Sequence, residues 1–327
     1  MKNVFDIILL TALPASGKSE VRRLLKNIDE EELKNEFYIG KNLQLDDFPY
    51  VHMMRRIDDE LEKLGVERIF FKSSVKPFKN PYDWGTLIEL INMDYRDMCQ
   101  SKKYDDIHPG KWLIDRIETA SKKVGIEERL YKLDGKIIDE LSQKISNEAK
   151  DILDDKYSNY TDDFSNKTII IEFARGGAQG SSMPLKEPFG YEYSLKMLDE
   201  DILRKAVILY IWVTPEESRR KNDERANPND PGSILHHGVP IDVMLNDYGC
   251  DDMFYLVENS ELKGTITVNK DGKKIYLPFA YFDNRVDKTS FLREDISKWD
   301  KSKVKEIKDA LKFATTSLFN MLKLRNN

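Results

Sequence analysis

Gly17, Lys18 and Ser19 are the first residues from which chemistry can be read. They close the stretch Thr11-Ala12-Leu13-Pro14-Ala15-Ser16-Gly17-Lys18-Ser19, which follows the apolar run Val4-Phe5-Asp6-Ile7-Ile8-Leu9-Leu10. Val21, Leu24, Leu25 and Ile28 then recur at helical spacing. A buried strand, a tight loop and a helix, in that order, aim backbone N–H groups and the positive end of a helix at one point, an arrangement suited to phosphate. Lys18 would neutralise the β- and γ-phosphates of a nucleotide, and the Ser19 hydroxyl would hold Mg²⁺. Ala12, Leu13, Pro14, Ala15, Ser16, Gly17, Lys18, Ser19 and Glu20 are therefore the candidate nucleotide contacts. The competing reading, a chance Gly-Lys-Ser at a helix start, is weakened several-fold by the flanking strand and helix.

Leu13-Pro14-Ala15-Ser16-Gly17-Lys18-Ser19 resembles the loop of small-molecule P-loop kinases, the nucleoside and nucleotide kinase-like group, more than that of GTPases. No Asn-Lys-x-Asp segment occurs in the chain, and Ala12 stands where the usual pattern has its first Gly. The resemblance is carried by these residues and thins downstream. It implies a three-layer α/β P-loop fold with a mostly parallel sheet, ATP and Mg²⁺ as cofactors, and phosphoryl transfer to a small-molecule hydroxyl or phosphate acceptor, nucleosides and nucleotides included.

Further residues take roles by the same resemblance. Asp46, with Asp47 in reserve, matches the carboxylate past the second strand that orients the acceptor hydroxyl. Capping of a helix over Tyr50–Leu64 is the alternative for this pair. Glu172, ending the apolar strand Thr168–Phe173, fits a Walker-B-like acid that holds Mg²⁺ through water, and Arg175 before Gly176-Gly177 would fix acceptor or phosphate. A fourth strand over Lys205–Val213 leads into Thr214-Pro215-Glu216-Glu217, which resembles the entry to a LID spanning about 214–240. Arg219, Arg220, Lys221 and Arg225 are its candidate charge stabilisers, Lys221 and Arg225 matching the family spacing best; an ordinary solvated helix face is the alternative. Gly238-Val239-Pro240-Ile241-Asp242-Val243 resembles a segment after the lid in polynucleotide-kinase-like and zeta-toxin-like proteins, with His236 and His237 just before it. Asn284 and Arg285, past a last strand at Phe279–Asn284, are candidate adenine contacts, or a plain polar turn.

The elements that must position these groups divide the chain into a core, 1–49 and 167–327, and a mainly helical insertion, 50–166, expected to hold the acceptor. Ile126, Leu130, Leu133, Ile137, Leu141, Ile145, Ala149 and Ile152 predict one amphipathic helix of six or seven turns. Arg55 and Arg56 could face a phosphorylated acceptor, but pairing with Asp58, Asp59 and Glu60 explains them more simply. Tyr82, Trp84, Tyr95, Tyr104 and Trp112 could line an acceptor pocket, though core packing accounts for them too. Thr265–Val268 and Lys274–Leu277 predict a hairpin around Asp271-Gly272, and Val304, Ile307, Leu311, Ala314, Leu318 and Met321 a core-facing C-terminal helix.

Composition bounds the rest. The 327 residues are 40% hydrophobic and 34% charged with a net charge of −6, which excludes a disordered chain and argues against nonspecific nucleic-acid binding, RNA ends staying open. Two cysteines build no disulfide framework, and no apolar run reaches the roughly 18 to 20 residues of a membrane span. Asp6 interrupts the apolar stretch that would otherwise suggest a signal peptide, so a cytoplasmic protein is expected. Two alternatives to the kinase stand: a regulatory ATPase whose nucleotide switches a protein partner, and a binding module with a degenerate loop.

Overall fold

The computed structural model describes residues 3–104, 107–225 and 238–326. In chain order these form β1 (Ile7–Thr11), α1 (Lys18–Lys26), α2 (Glu30–Phe37), β2 (Lys41–Asp46), α3 (Phe48–Lys63), α4 (Asp83–Cys99), α5 (Pro109–Lys123), α6 (Gly135–Lys144), α7 (Ser146–Ser158), β3 (Lys167–Phe173), α8 (Gly190–Met197), α9 (Glu200–Lys205), β4 (Ala206–Trp212), α10 (Pro215–Arg225), α11 (Ile241–Asn246), α12 (Met253–Glu258), β5 (Thr265–Lys270), β6 (Lys273–Asp283) and α13 (Lys301–Asn326). The strands make one sheet in the order β2-β3-β1-β4-β6-β5, parallel except for the β5–β6 pair.

Alternation of side chains along the strands divides the core into layers. Ile7, Leu9, Leu43, Leu45, Ile169, Ile171, Ile208 and Tyr210 face α4, α8 and α9, meeting Ile88, Ile91, Tyr191, Leu195 and Ile202. Ile8, Leu10, Ile170, Val207, Leu209 and Ile211 face the other way, onto Val21, Leu24 and Leu25 of α1, Leu33 and Phe37 of α2, and Ile307, Leu311 and Leu318 of α13. The result is a three-layer α/β arrangement. A third apolar cluster joins α3, α4, α5, α6 and α7, and takes in Leu13, Val213, Val243 and Tyr248 from the rest of the chain. Helix α4 belongs to two clusters at once, with Ile88 and Ile91 toward the sheet and Trp84, Leu87 and Leu90 toward the helices. The helical region is thereby welded to the sheet.

Two expectations are corrected. The single helix expected from Ile126 to Ile152 is a 3-10 turn at Leu130–Lys132 followed by α6 and α7. Asp134 ends the turn and starts α6 by accepting the Lys136 N–H, a capping signal that the apolar spacing obscured. The hairpin's second strand and the last core strand, expected as separate pieces, are one 11-residue strand, β6. Its first half pairs antiparallel with β5 and its second half parallel with β4. Among the described residues, no helix is long and apolar enough to cross a membrane.

Candidate functional site

β1 lies at the centre of the sheet, and its C-terminal end runs into the loop that opens α1. Three side chains hold that loop by its carbonyls. Tyr191 of α8 donates its hydroxyl to the Ala12 oxygen at 3.0 Å, Ser218 of α10 to the Pro14 oxygen at 2.7 Å, and Asn284 Nδ2 to the Ser16 oxygen at 2.6 Å. Gly17 has φ +105, and a Cβ there would run into Thr289 Oγ1 and lie 2.7 Å from Asn284 Nδ2. Only glycine fits, sterically and conformationally. The first helical bond is Val21 N–H to the Gly17 carbonyl at 2.9 Å. Among the described residues, the N–H groups from Ala15 to Glu20 meet no protein acceptor, so the loop offers a row of donors at a helix N-terminus, where an anion is favoured. Ala12 is wholly buried in the core under the loop.

A cavity of about 150 Å³ begins at this loop and is lined by Pro14 to Glu20, Asp46, Asp47, Glu172 and Arg225, among others. Lys18 is only 9% exposed. Burial pulls its ammonium below the ordinary lysine value, against the attraction of Glu172, Asp46 and Asp47, and Arg225 lowers it further. Ser19 lines the same cavity. Glu20 gives its carboxylate to Arg293 Nε at 2.5 Å, which leaves its backbone N–H as its contribution to a ligand.

The strand register puts the two key acids side by side, because Asp46 ends β2 opposite Glu172 of β3. Both take the α1-facing parity of their strands, and Arg22, one turn beyond Lys18, meets them there. Its guanidinium is 2.6 Å from Glu172 Oε2 and 3.6 Å from Asp46 Oδ2. Burial, then Glu172 and Asp47, push the Asp46 carboxyl well above the usual carboxylate range; the Phe48 N–H and Arg22 oppose this. Asp46 Oδ1 accepts from the Phe48 N–H at 2.8 Å, whereas Asp47, at the N-cap of α3, makes no side-chain capping bond. An oxygen donor set of Ser19, Glu172 and Asp46 is of the hard type that Mg²⁺ prefers. Among the described residues no group of three or more His, Cys, Asp or Glu side chains could hold a metal by itself, so such an ion would draw ligands from phosphate and water.

The other expected residues divide sharply. Arg175 does not line the cavity. It is 2% exposed behind the wall, where its Nη1 donates to Asp47 Oδ2 and the Ala174 oxygen, both at 2.6 Å, and its guanidinium lies 5.0 Å from the Trp84 ring. It positions Asp47 and Trp84 and does not face a transferred group. Of the basic residues on α10, Arg225 lines the cavity, whereas Arg219 pairs with Glu216 at 3.3 Å and Arg220 with Glu217 at 2.7 Å. Lys221 is fully buried and bound to Asp287 at 2.7 Å. Asn284 is not a base contact: it is fully buried, with Nδ2 on Ser16 and Thr289 and Oδ1 accepting the Lys288 N–H. Arg285 lies 3.6 Å over the Trp212 ring and pairs with Asp283. His236 and His237 lie outside the described residues.

The cavity recruits further residues. Arg55 lines it and lies 3.8 Å over Phe71, while the pairing expected for both arginines is made by Arg56, with Glu60 and Glu148. Of the five aromatics considered, Trp84 lines the cavity, joined by Phe48, Phe71, Phe78 and Tyr248. Arg22, Ser218, Asp247 and Thr289 carry no sequence signal beyond that of ordinary polar residues on helices and turns. Comparison with known protein families and with curated protein sequences finds no match for this chain.

Proposed function

We propose that this protein is an ATP- and Mg²⁺-dependent phosphotransferase of the P-loop kinase type, acting on a small-molecule hydroxyl or phosphate acceptor. The observation that carries the reading is the row of unpaired N–H groups over Ala15–Glu20, opening with Lys18 onto the same cavity as Asp46 and Glu172. The loop N–H groups and Lys18 bind the polyphosphate and hold its γ-phosphorus toward β2. Ser19 and Glu172 would hold Mg²⁺, which when bound would supply charge neutralisation to the phosphates. Asp46 receives the proton of the acceptor hydroxyl while the acceptor oxygen bonds to the γ-phosphorus and the β–γ bridging bond breaks. Arg22 fixes the two carboxylates from the α1 side, and Arg225 faces the charge that develops on the moving group.

The cavity supports a kinase over a nucleotide switch because it continues past the loop into an apolar chamber with room for an acceptor. The test follows γ-labelled ATP with and without a protein-free metabolite extract. Label should enter an organic product with the wild-type protein, and Lys18→Ala should lose at least about 1,000-fold in rate with its fold retained. Full transfer by Lys18→Ala would overturn the mechanism. Label released only as inorganic phosphate, indifferent to extract, would favour the ATPase reading.

A further inference from the structure

The chamber beyond the loop has a distinct chemical character. Its walls come from α3 (Phe48, Val51, Arg55), the turn holding Phe71 and Phe78, the first turn of α4 (Trp84) and the α11 region (Val243, Asp247, Tyr248). Phe71 and Phe78 stack with centroids 4.3 Å apart, Phe78 meets Trp84 edge-on at 5.0 Å, and Trp84 meets Tyr248 edge-on at 5.5 Å. The rings brace one another, face to face for the first pair and edge-on for the other two, which fixes the wall.

Asp247 is set into that wall. It is only 4% exposed, and among the described residues its carboxylate has neither a hydrogen bond nor an ion pair. A buried carboxyl without a partner is costly to keep, which points to a ligand that supplies one. Arg55 faces the same cavity and spends one bond on the Ser74 oxygen at 2.9 Å. Arg55 and Lys72 both act electrostatically on Asp247. A cationic ligand would be repelled by these two, and an anionic one by Asp247. A neutral ring that gives a hydrogen to Asp247 and takes one from Arg55 satisfies both.

We infer that the chamber is an acceptor subsite for a small flat heterocycle presenting a ring N–H beside a carbonyl, a lactam edge, read by Asp247 and Arg55 against the Phe71–Phe78–Trp84–Tyr248 wall. This rests on the phosphotransferase reading, and it adds the part of the acceptor that is recognised.

The test uses nucleosides as probes because they differ at this edge. Uridine and inosine carry the ring N–H beside a carbonyl, whereas cytidine and adenosine do not. With γ-labelled ATP, uridine or inosine should accept label with kcat/KM at least about tenfold above its amino counterpart. Asp247→Asn should erase that ratio while leaving the thermal shift given by MgATP alone unchanged; Arg55→Gln, a second variant, should reduce it. Equal use of all four, use of none, or a ratio unaffected by Asp247→Asn would overturn the inference. Transfer to some other acceptor in extract, abolished by Lys18→Ala, would still uphold the phosphotransferase reading, so the two fail separately.

Discussion

At one end of the cavity the contacts are main-chain N–H groups of one contiguous segment, Ala15 to Glu20, shaped by braces on its carbonyls. At the other end they are side chains drawn from segments between Phe48 and Tyr248, none adjacent in sequence to the loop. The first end suits a charge common to every nucleotide, because N–H groups read phosphate and little else. The second end distinguishes shapes and hydrogen-bonding edges. Generic recognition is thus built from backbone and particular recognition from side chains, and the two should fail under different mutations.

Gly17→Ala strikes the first end hardest. With φ +105 and the Thr289 and Asn284 side chains against its Cα, the new methyl should distort the loop, costing about 1–3 kcal/mol in backbone strain. MgATP binding should fall by about 100-fold, seen as loss of the MgATP-induced rise in melting temperature, while the chamber stays intact. A normal thermal shift in this variant would break the assignment of the loop.

Asn284→Ala should weaken MgATP by about tenfold, because the Ser16 carbonyl loses its brace at a cost of about 1–3 kcal/mol. The preference between ATP and GTP should not change. A changed preference would return Asn284 to a role at the base.

The smallest effect separates the ends by pH. Burial pushes the Asp247 carboxyl up to about 7, opposed by Lys72 and Arg55, with the Tyr248 hydroxyl beside it. Its folded value lies above that of an unfolded aspartate, so its contribution to stability is full below about pH 4 and is lost as pH rises through about 7. Asp247→Asn should therefore gain on the wild type as pH rises from about 4 to about 8, read as the difference in melting temperature. A difference that shrinks with pH would contradict the burial of an unpaired carboxyl.

The same contrast explains what can be read from the sequence. The loop is legible because its parts are consecutive: apolar strand, Gly17-Lys18-Ser19, helical spacing. The three layers follow from runs such as Ile169-Ile170-Ile171 and from the α13 stripe, whose apolar residues have no other use. Arg22 is invisible because its function depends on β2 and β3 lying side by side, a matter of register and not of spacing. Asn284 misleads for the same reason, since a polar residue after a last strand looks identical whether it meets a base or a loop carbonyl. Asp247 and Tyr248 carry no sequence signal of their own, because their place in the cavity depends on α11 packing Val243 against the helical cluster.

The braces on the loop carry a consequence for how the protein is made. The loop lies near the start of the chain, but Asn284 and Thr289 arrive only after the last strand, and Lys221 is joined to Asp287 and Thr289 beside them. A chain emerging from the ribosome exposes the loop long before it has the side chains that give the loop its shape. Under the proposed function, capacity to bind nucleotide therefore waits for Asn284 and Thr289, and chains that stop short of them should not sequester it.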